Sequence, residues 1–183
     1  MPITTTFVTG PAALAVIAAT LIVAWPIGKR IARRLHSRRC AAVLYVTAVG
    51  IVLALTLTPN EPVDGIYPVM PPHFLTQLTD PALVWSTLTA APSDAEQWAN
   101  VALYVPIGLI GRFVWRTAAR AALAGTALTI FVETCQYGIV GRAGSLTDMR
   151  NNTAGTILGA LVAAGAAYLL TRASRRPDKH VRQ

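Results

Sequence analysis

Charged residues are scarce in this sequence, at 13% of 183 residues, while 54% of the residues are hydrophobic. A soluble domain carries roughly 25% charged residues to cover its surface. The scarcity is also local, because four long stretches contain no Asp, Glu, Lys or Arg. A membrane-spanning helix needs about 20 mostly apolar residues, so we predict an integral membrane protein. The uncharged stretches are residues 7–27, 40–57, 121–131 and 153–170.

Several functional motifs are missing as well. The two cysteines, Cys40 and Cys135, do not stand in a metal-ligand spacing, and we expect no metal and no cofactor. The sequence contains no H-E-x-x-H, no G-x-S-x-G and no Walker-type phosphate loop. The net charge of +8 comes without an aromatic-interleaved basic patch or a nucleic-acid motif, so we expect no nucleic-acid partner.

The basic residues predict the topology. If the helices alternate in direction, every Lys and Arg except Arg142 and Arg150 falls on one side of the membrane. The long 58–97 connection contains acidic residues and no Lys or Arg. The positive-inside rule places the basic side in the cytoplasm. Residues 1–10 carry no charge and the first basic residues follow the first apolar run, which indicates a retained helix rather than a signal peptide.

We therefore predict an all-α, polytopic transmembrane bundle of about five helices, with the N-terminus outside and the C-terminus in the cytoplasm. The chain is expected to form a single membrane domain, 1–183, in a bacterial cytoplasmic membrane that it crosses several times. Its predicted spans are 7–27, 40–57, 98–115, 121–140 and 152–171, with an outer loop at 58–97 and a basic cytoplasmic tail at 172–183.

Within the outer loop, prolines argue against a helix before Phe74. Asp80 followed by Pro81 is typical of an N-cap and a first helical position, which predicts a short helix over 82–89 at the outer interface. The run 93–96, Ser-Asp-Ala-Glu, has capping-box spacing and is expected to begin the third span.

Polar residues inside or beside the last three spans form the candidate site. Glu133 lies about 8–10 Å below the predicted outer interface at 1.5 Å per residue, and an acid inside the membrane is a functional candidate by default. Short connections make the last three spans neighbours, so their outer polar residues are expected to converge on one cavity. The predicted ligand-binding residues are Asn100, Glu133, Gln136, Arg142, Asp148 and Asn152.

Structural interpretations of the same residues stay open. Arg142 and Asp148 can form a surface salt bridge, and Asp148 can cap the fifth span. Asn100 and Asn152 can hydrogen-bond between helices without contacting a ligand. Glu133 can pair with Arg142 in a structural role.

The order of these residues resembles the VanZ-like family of bacterial membrane proteins. The resemblance covers roughly residues 53–163, and Ser145-Leu146-Thr147 departs from it where the family often has an aromatic and acidic run. The outer loop is also longer than in compact members. The matching pieces are Thr56-Leu-Thr-Pro59, Asn100-Val-Ala-Leu-Tyr-Val-Pro-Ile-Gly108, Glu133-x-x-Gln136, Arg142 and Asp148-x-x-x-Asn152-Thr-x-Gly155-x-x-x-Gly159.

The resemblance implies a cell-envelope protein linked to low-level resistance to teicoplanin, a lipoglycopeptide. The leading hypothesis is a non-enzymatic factor that binds membrane lipids and a lipoglycopeptide or a lipid-linked envelope precursor at the outer leaflet. The alternative is a membrane hydrolase or transferase that acts on an envelope lipid through Glu133, Asp148 and Arg142. A small transporter or a purely structural partner is a third hypothesis. The oligomeric state does not follow from the sequence.

Overall fold

A computed structural model describes residues 11–58, 73–136, 139 and 144–174. Across these residues the chain forms seven helices and no strand, which confirms the predicted all-α class. Five of the helices have 19 to 29 residues, and two are short. They are α1 Pro11–Leu35, α2 Arg39–Leu57, α3 His73–Gln77, α4 Pro81–Thr89, α5 Ala95–Val114, α6 Ala118–Gln136 and α7 Leu146–Ser174.

Each of the five long helices overlaps one of the five predicted spans, although several begin or end at other residues. Four of them, α1, α2, α6 and α7, are long and apolar enough to cross a membrane by length and composition. The 20-residue α5 is more polar because Glu96, Gln97 and Asn100 occupy its first two turns. The number of long helices therefore agrees with the prediction of about five, while the orientation of the termini stays a prediction.

Close packing of α5 against α7 forms the centre of the bundle. A β-carbon at Gly155 or Gly159 of α7 would overlap the carbonyl oxygen of Val101 or Val105 in α5, and one at Gly108 would overlap the Thr156 carbonyl. Glycine lets the two backbones approach this closely, as small residues do in membrane helix pairs. The G-x-x-x-G spacing of Gly155 and Gly159 therefore serves the close packing of α7 on α5. The helix α6 packs against both α5 and α7, as the short connections predict.

The first two helices form a hairpin beside this centre. Gly50 of α2 faces Thr20 of α1, and Gly28 of α1 faces Val43 of α2, so the hairpin is also closed by small residues. The helix α2 then packs on α5 and, less extensively, on α6. The fold therefore has α5 next to three other long helices.

Helices begin at both places where the sequence predicts a helix start in the outer loop, after Asp80 and in the run 93–96. Asp80 Oδ1 accepts hydrogen bonds from the Ala82 and Leu83 amides at 2.9 and 3.2 Å, and Pro81 follows as the first residue of α4. At the start of α5 the cap is Asp94 rather than Ser93, because the Asp94 side chain accepts from the Gln97 amide at 2.9 Å. The helix α3 was not predicted.

Acidic side chains lie at one end of the bundle, and nearly all of the basic side chains lie at the opposite end. Hydrogen bonds from Gln136 to the Thr56 carbonyl, from the Ser145 amide to Glu133 and from Asn100 to Asp148 join the ends of α2 and α6 to the starts of α5 and α7. We call this end the carboxylate end. It carries Asp80, Asp94, Glu96, Glu133, Asp148 and Arg150, whereas the opposite end carries Lys29, Arg30, Arg33, Arg34, Arg38, Arg39, Arg112, Arg116, Arg120 and Arg172.

Candidate functional site

Buried polar side chains meet at the carboxylate end, where the first turns of α5 and α7 approach the last turns of α6. Most of them are linked by hydrogen bonds, and they come from three helices and the residue before α7. We call this set the polar cluster. It consists of Asn100 and Tyr104 in α5, Thr129 and Glu133 in α6, Ser145 before α7, and Asp148 and Asn152 in α7.

Glu133 lies at the centre of the polar cluster with only 1% of its surface exposed. Its Oε2 accepts a hydrogen bond from the Ser145 amide at 2.9 Å, and its Oε1 accepts one from Asn152 Nδ2 at 3.3 Å. A buried carboxylate needs such donors because it has lost its water. The chain returns directly over the helix here, since a β-carbon at Gly144 would overlap the Glu133 carbonyl oxygen.

Asp148 links α7 to α5. Its Oδ1 accepts from Asn100 Nδ2 at 2.6 Å, and its Oδ2 accepts from the Ser145 hydroxyl at 2.7 Å. The Ser145 hydroxyl in turn accepts from the Asp148 amide at 3.0 Å, which is the geometry of an N-cap. Ser145 is therefore the cap of α7, and Asp148 joins that cap to the neighbouring helix.

Two atoms of the polar cluster are buried without a hydrogen-bond partner, the Tyr104 hydroxyl and Asn152 Oδ1. Tyr104 is fully buried, and its hydroxyl lies near the Thr129 side chain. The Thr129 hydroxyl already accepts a hydrogen bond from Asn152 Nδ2, and no well-formed hydrogen bond joins it to Tyr104. Asn152 is 3% exposed, and its Nδ2 already donates to Thr129 and Glu133. Buried polar groups are hydrogen-bonded in the great majority of cases, so this donor and this acceptor are open to a water or to a bound polar group.

Of the predicted site residues that the structure describes, four lie in the polar cluster and one lies outside it. Asn100, Glu133, Asp148 and Asn152 all lie in the polar cluster. Gln136 is also buried, but it donates to the Thr56 carbonyl at 3.1 Å and so holds α6 to the end of α2. The prediction for Arg142 falls outside the described residues.

The predicted ligand-binding residues do not include three further members of the polar cluster, Tyr104, Thr129 and Ser145. A tyrosine or threonine in an apolar span usually indicates a membrane interface or helix packing. One available signal was the spacing of Asn100 and Tyr104, which lie four residues apart and therefore share a helix face. In the part of the chain that the structure describes, no group of three or more His, Cys, Asp or Glu side chains has a metal-binding arrangement.

A family model described as VanZ/LLP1 matches residues 41–170 of the chain. The chain belongs to the VanZ/LLP1 family. The match begins in α2 and ends in α7, so it contains the whole polar cluster, and α1 precedes it. Family membership and the four long apolar helices identify an integral membrane protein. No curated protein and no solved structure matches this VanZ/LLP1 chain.

Proposed function

We propose that this VanZ/LLP1 protein is a non-enzymatic envelope factor of the bacterial plasma membrane that binds the polar headgroup of an amphiphile. The ligand class is a membrane lipid, a lipid-linked envelope precursor or a lipoglycopeptide of the teicoplanin type. The observation that carries the proposal is the pair of unpartnered buried atoms, Tyr104 hydroxyl and Asn152 Oδ1, beside the buried Glu133.

The chemistry of the polar cluster favours hydroxyl or amide groups as ligands. The Tyr104 hydroxyl can donate, Asn152 Oδ1 can accept, and a sugar hydroxyl or an amide can satisfy both at once. Apolar surface surrounds the helices, with large exposed side chains such as Leu158 and Leu161 on α7. An amphiphile can therefore keep its tails in the bilayer while its headgroup reaches the cluster. On the predicted topology this is the outer leaflet.

An enzymatic role has one observation in its favour, the 2.7 Å hydrogen bond from the Ser145 hydroxyl to the Asp148 carboxylate. A serine beside a carboxylate can act as a nucleophile. The N-cap geometry accounts for the same bond without catalysis, and we therefore favour binding. If purified protein hydrolysed or transferred a labelled envelope lipid, and Ser145→Ala or Glu133→Gln abolished that turnover, the enzymatic role would replace the proposed one.

Binding is tested by native mass spectrometry of the purified protein with its bacterial lipids, together with teicoplanin susceptibility of cells that express it. We expect Glu133→Gln and Arg142→Ala to reduce both the bound amphiphile and the resistance. Thr134→Ala is the matched control, because Thr134 follows Glu133 in α6 but is exposed and bonds only the Ile130 carbonyl. Wild-type occupancy and resistance in the Glu133 and Arg142 variants would remove the basis for the proposal.

A further inference from the structure

Arg150, in the second turn of α7, is a half-buried cation whose hydrogen bonds to the described residues all go to neutral acceptors. Its guanidinium donates to the Thr87 carbonyl of α4 at 2.7 Å, to Gln97 Oε1 of α5 at 3.1 Å, and to Asn151 Oδ1 at 2.7 and 3.1 Å. No carboxylate among the described residues forms an ion pair with it. A cation that is partly removed from water and meets only dipoles keeps an uncompensated charge.

Asn151 places an unpartnered donor beside this charge. The side chain is 1% exposed, and Nδ2 has no hydrogen-bond partner. The guanidinium fixes the orientation of the amide, because arginine carries only donors and must face the Asn151 oxygen rather than the nitrogen. The Nδ2 group therefore stays a buried donor whose neighbour is a cation. An atom that satisfies both groups has to be an acceptor and is favoured if it is negatively charged.

The surroundings indicate where such an anion comes from. Trp85 on α4 and Trp98 on α5 are 71% and 57% exposed, and each lies within two residues of an Arg150 partner, Thr87 or Gln97. Exposed tryptophans are enriched at the membrane–water interface, which is the depth of lipid headgroups. The first turns of a helix such as α7 also favour negative charge.

We infer that Arg150 and Asn151 form an anchor for a phosphate group, as carried by an anionic phospholipid or a phosphorylated envelope lipid. Phosphate offers several acceptor oxygens, so one group can meet both the guanidinium and the Asn151 amide, and arginine is well suited to this geometry. The inference rests on the proposed function and deepens it by naming the charged part of the headgroup. The anchor lies on the α4–α5 side of α7 and uses neither the hydrogen bond from Ser145 nor the one from Asn152 to Glu133.

The test measures binding of the full chain in detergent by native mass spectrometry with three probes. They are phosphatidylglycerol, a diacylglycerol with the same acyl chains, and inorganic phosphate as a competitor. We expect the wild type to prefer phosphatidylglycerol, and Arg150→Gln to weaken phosphatidylglycerol binding about tenfold or more while leaving diacylglycerol binding unchanged. Arg120→Gln is the matched control, since it removes one positive charge from an exposed position at the opposite end.

Asn151→Asp separates anion binding from a structural role. The substituted side chain keeps the acceptor for Arg150 and replaces the open donor with a carboxylate oxygen, so we expect the melting temperature to be maintained and phosphatidylglycerol binding to fall about tenfold or more. If Asn151→Asp and Arg150→Gln both bind phosphatidylglycerol like the wild type, the two residues only fasten α4 and α5 to α7, and the inference is wrong.

The probes also separate the two proposals. Displacement of phosphatidylglycerol by inorganic phosphate supports the anchor, with phosphate itself as the recognised group. Binding of inorganic phosphate without any lipid binding supports the anchor and contradicts a membrane lipid as the ligand in the proposed function. Equal binding of both lipids, with no effect of phosphate, contradicts the anchor and leaves amphiphile binding in place. Failure to bind any probe contradicts the anchor and contradicts a membrane lipid as the ligand in the proposed function.

Discussion

Gly155 sets the distance between α5 and α7 next to the polar cluster, and its replacement gives the sharpest test of the packing. A β-carbon at this position would lie 3.0 Å from the carbonyl carbon of Val101 and nearer still to its oxygen, whereas ordinary contact requires 3.4–4 Å. Both obstacles are backbone atoms, so α7 must move away as a whole. Overpacking of this kind costs about 1–3 kcal/mol.

We therefore predict that Gly155→Ala lowers the melting temperature in detergent by roughly 2–12 °C, at about 2–4 °C per kcal/mol for a chain of this size. The same movement should lengthen the Asn100–Asp148 hydrogen bond, which is 2.6 Å in the intact bundle, and reduce lipid occupancy. The assay is thermal unfolding followed by tryptophan fluorescence, with native mass spectrometry for occupancy.

Gly165→Ala is the matched control on the same helix. A β-carbon there meets nothing within 4 Å, and alanine has a better helix propensity than glycine by about 1 kcal/mol. The control should therefore be as stable as the wild type or slightly more so. Equal stability of Gly155→Ala and Gly165→Ala would refute the close approach of α5 and α7.

Three further substitutions test single interactions. Tyr104→Phe removes a buried hydroxyl that makes no well-formed hydrogen bond to the protein. Thermal unfolding should therefore show a loss of no more than about 0.5 kcal/mol, the low end of what one hydrogen bond contributes, while lipid occupancy falls; a large loss of stability would reveal a protein partner. Ser145→Ala removes the cap of α7 and should cost about 1 kcal/mol in thermal unfolding; an unchanged melting temperature would contradict the capping role. The hydrogen bond from the Gln97 amide lowers the pKa of Asp94 below its ordinary value of 3.8, so the stability from this cap is fully present above about pH 4 and is lost as the pH falls through the lowered pKa. Asp94→Asn should flatten that acid limb in a pH series of unfolding curves, and an unchanged limb would show that other groups cause it.

Much of the fold follows from local and periodic signals in the sequence. Asp80 and Pro81 predict α4 because a cap and a proline act within one turn, and Gly155 and Gly159 predict close packing because their spacing repeats on one helix face. Alternation of the spans brings Asn100, Glu133 and Asp148 to one end without any knowledge of side-chain positions.

Other parts of the site depend on tertiary packing that the sequence does not encode locally. Gln136 lies three residues after Glu133 and shares its general direction, but three residues rotate about 60° around a helix, which is enough for Gln136 to face α2 instead of the cluster. The helix α7 begins at Leu146, before the predicted span, because Ser145 caps its first turn. That turn is polar, so a prediction from hydropathy alone assigns it to the preceding loop. The Tyr104 hydroxyl is buried without a hydrogen-bond partner, and no sequence pattern predicts this because it depends on which side chains surround it in the folded bundle.

The central claim is that the polar cluster receives a polar headgroup, and the most direct measurement is an experimental structure of the protein in nanodiscs of native lipid. We predict density for a headgroup within hydrogen-bond distance of both the Tyr104 hydroxyl and Asn152 Oδ1, continuous with acyl chains along the outer surface of the bundle. Density for isolated water at these two atoms, or side chains rearranged to bond each other, would contradict the claim.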